Sequence, residues 1–133
     1  MTTTRDIVTA YYAAFNAGDT DAMLALVADD VRHDVNQGEP RHGKARFADF
    51  NDHMTRCYRE RLSDMVIFAE GHRAAAEFIV GGTYLATDEG LPEAHGQTYR
   101  LPAGAFLSVN AAGKIDRITT YYNLADWLQQ VGA

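Results

Sequence analysis

Apolar residues at Ile7, Val8, Tyr11, Tyr12 and Phe15 recur at intervals of three and four, which gathers them on one face of a helix over Arg5 to Ala17. Thr3 followed by Asp6 has the form of a capping box, and Gly18 ends the pattern. Asp19 or Thr20 caps a second short helix, whose stripe of Met23, Leu24, Leu26 and Val27 is closed by Asp29 and Asp30. Val31 to Asn36 then alternates as a strand, with Val31, His33 and Val35 on one side and Arg32, Asp34 and Asn36 on the other. Gln37 to Arg41, with Gly38 and Pro40, reads as a turn. A longer helix is predicted from Lys44 to Leu62, where Phe47, Phe50, Met54, Tyr58 and Leu62 step by three or four. Arg56, Arg59, Glu60 and Arg61 form its solvated side.

After Ser63 and Asp64 the period changes to two. Strands are predicted at Met65 to Ala69, Ala74 to Ala86, Thr98 to Asn110 and Lys114 to Tyr122. Gly81 and Gly82 inside the second of these predict a bulge or bend. Thr87 to Gln97, with Gly90, Pro92 and Gly96, is a loop long enough to act as a lid. A short helix over Asn123 to Val131 carries Leu124, Trp127, Leu128 and Val131 at helical spacing. Helices followed by antiparallel hairpins give an α+β class: a cone-shaped, curved antiparallel sheet wrapped around the N-terminal helices, with an internal pocket. A single domain over residues 1–133 is expected.

Composition narrows the partners. The chain has 133 residues, 47% hydrophobic and 23% charged, enough apolar area for a core. A net charge of −6 argues against nucleic acid and anionic membrane surfaces. Cys57 is the only cysteine, so no intrachain disulfide forms. No stretch has the length of an apolar membrane span, and Met1 to Asp6 lacks a signal peptide's pattern. These features predict a cytoplasmic protein.

The candidate chemistry starts at Asp34, a carboxylate on or beside a strand in a chain apolar enough to surround it with a dry pocket. His33 and Asp34 are neighbours, so an ideal strand sends them to opposite faces and only one enters the cavity. Facing inward, Asp34 is a general base raised by burial; His33 in its place is an imidazole that titrates near neutrality. His33, His42, His53, His72 and His95 show no paired ligand spacing, so neither a metal nor a cofactor is expected. Asn36, Tyr58, Tyr84, Tyr99 and Tyr122 are candidate pocket residues, the tyrosines offering apolar bodies and polar tips to an apolar or amphipathic ligand.

Over nearly its whole length the chain resembles the ketosteroid isomerase, SnoaL-like and nuclear transport factor 2-like superfamily. The likeness rests on Tyr11-Tyr12-Ala13-Ala14-Phe15-Asn16-Ala17-Gly18-Asp19, Ala28-Asp29-Asp30, Glu39-Pro40-Arg41, Gly43 and the hairpin Ala112-Gly113-Lys114. The resemblance implies that Tyr11 is the isomerase's oxyanion tyrosine. Counting back from Glu39-Pro40-Arg41 sets Asp34 on the family's base, while counting forward from Asp30 sets Val35 there. Ala105 stands where the second oxyanion donor belongs, and Asn123 stands nearest the carboxylate of the SnoaL-like cyclases, able to orient a ligand but not to take a proton. The resemblance also implies a homodimer. Two functions follow as expectations. One is a cofactor-free acid–base enzyme, of isomerase or cyclase type, acting on a small and largely apolar carbonyl compound through Asp34 and Tyr11. The other is a non-catalytic dimeric module that binds a small molecule or a partner.

Overall fold

The computed structural model describes residues 2–132. Helix α1 spans Thr4–Ala17, and its start is a full capping box in which Thr3 and Asp6 satisfy each other's backbone N–H groups. Gly18, at φ 68°, turns the chain into α2 (Thr20–Ala25), which Asp19 caps through Ala22 N–H. Strand β1 (Val27–Val35) follows, and β2 (Arg41–His42) folds back on it as a short hairpin after the left-handed residues Asn36 and Gln37. Next come α3 (Lys44–Cys57), β3 (Tyr58–Glu70), β4 (Arg73–Tyr84), β5 (Thr98–Val109), β6 (Ile115–Tyr122) and α4 (Leu124–Val131).

The six strands form one curved, unclosed sheet in the order β2-β1-β6-β5-β4-β3. All neighbours are antiparallel except β1 and β6, which run parallel with His33 opposite Ile118 and Asp34 opposite Thr119. The expected wholly antiparallel sheet is therefore mixed. Helix α1 lies against β3 and β4, α3 against β1 and β3, and α4 against β5. Among the described residues no helix is long and apolar enough to cross a membrane.

Several boundaries differ from the sequence pattern for one physical reason: positions i and i+4 share a face in a helix and in a strand alike. Tyr58 and Leu62 therefore satisfied a helical stripe, but α3 stops at Cys57 and both residues lie in β3, facing the core. Val27 likewise opens β1 instead of ending α2. Ser63 and Asp64 do not separate elements. They interrupt the β3 to β4 register between Ser63 and Val66, where Asp64 takes φ 53°, so the bulge lies there. Gly81 and Gly82 pair in unbroken register with both neighbouring strands, and no bulge occurs at them.

Two packed clusters result. The first is largely aliphatic and joins α1 to the middle of the sheet through Val8, Val31, Leu107 and Ile115, none of them exposed. The second gathers Cys57, Tyr58, Tyr84, Tyr99, Leu101, Trp127 and Val131 around α4, with Leu91 and Ala94 of the loop 85–97 packed on it.

Candidate active site

Between the concave side of the sheet and the helices lies a cavity of about 600 Å³, within the usual size of small-molecule sites. The pleat of β1 decides which of its polar residues reaches it. His33 and Val35 line the cavity; Asp34 points to the other side. There its Oδ1 accepts from Thr119 Oγ1 at 2.8 Å and lies 4.0 Å from Arg32 Nε, in an outer depression shared with Arg117 and Tyr121. Asp34 is only 5% exposed, yet it is buried on the wrong side of the sheet to meet a ligand in this cavity.

His33 occupies the place first offered to Asp34. Its ring stands 5.1 Å from Phe47 and 4.7 Å from Phe50, and its Nδ1 is buried without a hydrogen-bond partner. Burial, with the positive charge of Arg41, pushes its pKa down to about 4, so the imidazole is neutral at physiological pH. Arg41 in turn lies over the Phe50 ring at 4.1 Å. Tyr11 also lines the cavity, edge-on to Tyr12 at 5.1 Å; burial raises its pKa well above the ordinary value and keeps the phenol a donor.

Another part of the lining is acidic. Glu60 of β3 lies opposite Gly82 of β4, and Gly82 lies opposite Tyr99 of β5. The Tyr99 ring passes over Gly82 and donates to Glu60 Oε2 at 2.6 Å. A Cβ at position 82 would come within 2.4 Å of the Tyr99 hydroxyl, so the glycine makes this bond possible. Burial raises the Glu60 pKa, and the Tyr99 bond offsets part of the rise. Among the described residues no ion pair reaches Glu60.

Asp88, from the loop 85–97, is the second carboxylate. Its two oxygens accept from Tyr58 Oη at 2.8 Å and meet His53 Nε2 at 2.9 Å. Tyr122 stands within the field of both Glu60 and Asp88, and burial together with these charges raises its pKa and holds it neutral. Leu91 of the same loop also lines the cavity, so this loop forms part of its wall.

Of the expected pocket residues, His33, Tyr58, Tyr99 and Tyr122 line the cavity together with Tyr11. Tyr84 lies behind the wall, stacked on Tyr58 at 5.3 Å; its hydroxyl donates to Pro92 O and accepts from Asp88 N–H. Asn36 and Asn123 do structural work. Asn36 Oδ1 accepts from Tyr122 N–H across the β1 to β6 pair, and Asn123 Oδ1 caps α4 at Asp126 N–H. Ala105 is buried in the aliphatic cluster, where it offers no donor.

Residues 8–118 match the family model of the SnoaL-like domain. The chain belongs to this family. Its SnoaL-like fold superposes on a putative polyketide cyclase from Pseudomonas putida KT2440 with a TM-score of 0.94 and 63% identity, covering 97% of this chain and 98% of that one. A putative polyketide cyclase from Silicibacter sp. TM1040 is 58% identical, with a TM-score of 0.94 over 98% and 96% of the two chains. A Catenulispora acidiphila protein with a ketosteroid isomerase-like fold, solved in complex with trimethylamine, shares the SnoaL-like architecture at 22% identity, with a TM-score of 0.78 over 98% and 95%. No curated protein matches the chain.

Proposed function

We propose that this SnoaL-like protein is an acid–base enzyme acting on a small, largely apolar carbonyl compound, of isomerase or aldol-cyclase type, and that Glu60 is its proton shuttle. One observation carries the assignment: a cavity carboxylate with a raised pKa, in no ion pair among the described residues, and with a single oriented donor from Tyr99. The carboxylate removes a proton alpha to the carbonyl, leaving an enolate. A neutral tyrosine, Tyr122 or Tyr11, donates to the carbonyl oxygen as charge develops there. Glu60 then returns the proton to another carbon, or the enolate carbon attacks a second carbonyl and closes a ring, the resulting alkoxide taking the proton back from Glu60. The polyketide cyclase names of the Pseudomonas putida and Silicibacter relatives, both above 50% identity, support the ring-closing version.

Asp88 is less suited to the shuttle, since Tyr58 and His53 already engage both its oxygens. Asp34 has no path to the cavity across the sheet. The protein is taken as a homodimer, supported by the exposed Val66, Phe68, Phe106 and Tyr121 in the sheet strands.

The test is exchange of the acidic alpha protons of cyclic ketones and diketones into deuterated buffer. The native protein is expected to accelerate exchange, and Glu60→Gln to lose about 10²- to 10⁴-fold, with its fold intact by circular dichroism. Equal rates in the two proteins would remove Glu60 from the mechanism. No acceleration of any ketone by native protein would favour the binding module instead.

A further inference from the structure

His53 and Cys57 lie four residues apart in the last turns of α3, a spacing that stacks their side chains on one helical face. The loop 85–97 brings Asp88 against that face. One ligand atom from each of the three residues lies within 4.8 Å of the other two. This trio escapes a search for histidine pairs, because two of its members are a thiol and a loop carboxylate.

We propose that His53, Cys57 and Asp88 form a three-ligand site for a divalent ion of zinc or cobalt type, pinning the loop 85–97 to the end of α3. The donor set of imidazole, thiolate and carboxylate suits such an ion and leaves a fourth position for water. The frame around the three residues is already built. Cys57 O accepts from Leu85 N–H at 2.7 Å and Ala86 N–H at 3.3 Å, and Asp88 N–H is held by Tyr84 Oη. Tyr58 Oη donates to Asp88 Oδ2, the outer hydrogen bond that commonly orients a ligating carboxylate. His53 Nε2 and Asp88 Oδ1 are hydrogen-bonded at 2.9 Å, and the ion would take the place of the proton they share.

The adjustment on binding is small. Tetrahedral zinc holds its ligand atoms about 3.3 to 3.6 Å apart, so the widest separation closes by about 1 Å while the 2.9 Å His53–Asp88 hydrogen bond opens by about 0.5 Å. Ligation through Nε2 leaves a proton on Nδ1, so the exposed Arg56, 3.4 Å from that nitrogen, turns to solvent. The thiol, which burial and Asp88 hold protonated, gives up its proton to the buffer as the metal binds.

The test is titration of the whole protein with Co²⁺, then displacement by Zn²⁺. A near-ultraviolet thiolate-to-cobalt band saturating at one equivalent is expected, with affinity that tightens as pH rises. His53→Ala should weaken binding by more than about tenfold, and Tyr58→Phe by about tenfold with the band retained. Near-ultraviolet circular dichroism of the Tyr84 and Trp127 pair, which both variants keep, reports that each is folded. No band at saturating cobalt, or a band whose affinity is untouched by His53→Ala in folded protein, would overturn the site. The exchange activity assigned to Glu60 stands or falls separately.

Discussion

The two packed clusters of this chain are built from different kinds of residue and do different work. Around Val8, Val31, Leu107 and Ile115 the side chains are dry and aliphatic, with few polar tips to satisfy. Around Trp127 three buried tyrosines pack together and each hydroxyl holds something: Tyr58 holds Asp88, Tyr84 holds the loop at Pro92, and Tyr99 holds Glu60. An aliphatic cluster gains stability from area and close packing. A tyrosine cluster spends part of that gain on keeping carboxylates oriented beside a cavity, the arrangement that the acid–base role proposed for Glu60 requires.

Substitutions should separate these roles. Leu107→Ala opens a void in the aliphatic cluster and is expected to cost about 2 to 5 kcal/mol in denaturant unfolding, while exchange activity per folded molecule is unchanged. Activity lost from the folded fraction would mean that the clusters are not separable.

Two titrating groups of the cavity, His33 and Glu60, give opposite slopes of stability with pH. His33 is neutral in the fold down to about pH 4, whereas in the unfolded chain it protonates near 6.5. The unfolded state therefore binds more protons between those values, and stability falls as pH drops from 6.5 to about 4, by up to about 3 kcal/mol. Glu60 is the reverse case, since its folded pKa is raised. The folded state then holds the extra proton, and stability falls as pH rises from about 4.5 through the folded value. His33→Phe should leave a net downward slope with rising pH in this window, and Glu60→Gln a net upward one, both read from urea midpoints against pH.

Tyr99→Phe removes a hydrogen bond to a charged group, worth about 1.5 to 3 kcal/mol. Without that donor the Glu60 pKa climbs further, so the acid limb of the exchange rate profile should move to higher pH. An unmoved limb would show that the bond does not tune the base. The smallest effect is expected for Asp34→Asn, which keeps an oxygen for Thr119 Oγ1 outside the cavity: unchanged exchange, and a stability change of about 1 kcal/mol. Loss of exchange there would return the catalytic role to Asp34.

The fold was largely legible in the chain because its long elements carry clear periods. Helix α1, with its cap and Gly18, and the inward row Tyr99, Leu101, Ala105, Leu107 and Val109 of β5 follow the pattern directly. The site was less legible. Alternation on β1 does place His33 with the buried Val31, but family spacing gives Asp34 when counted back from Glu39-Pro40-Arg41 and Val35 when counted forward from Asp30, and neither count gives His33. Glu60 was hidden by the shared i to i+4 face: on a helix it turns to solvent, and only once Tyr58 to Leu62 is a strand does it sit between two inward residues. The signal was present as an acidic residue two positions from each of two apolar ones. Asp88 gave no signal, because it lies in an irregular loop whose path is set by Tyr84 and by partners distant in sequence.

The parallel pairing of β1 with β6 bears on how the molecule assembles in time. Asn36 and Tyr122, joined across that pair, are 86 residues apart in the chain. The meander from β3 to β6 can zip through neighbouring hairpins, but β1 must wait for β6 and close a long loop before its contacts repay the lost entropy. His33 reaches its place only in that step. The cavity is thus expected to be completed late on the folding path, and hydrogen exchange should find the β1 amides opening, and the cavity with them, while the meander stays protected.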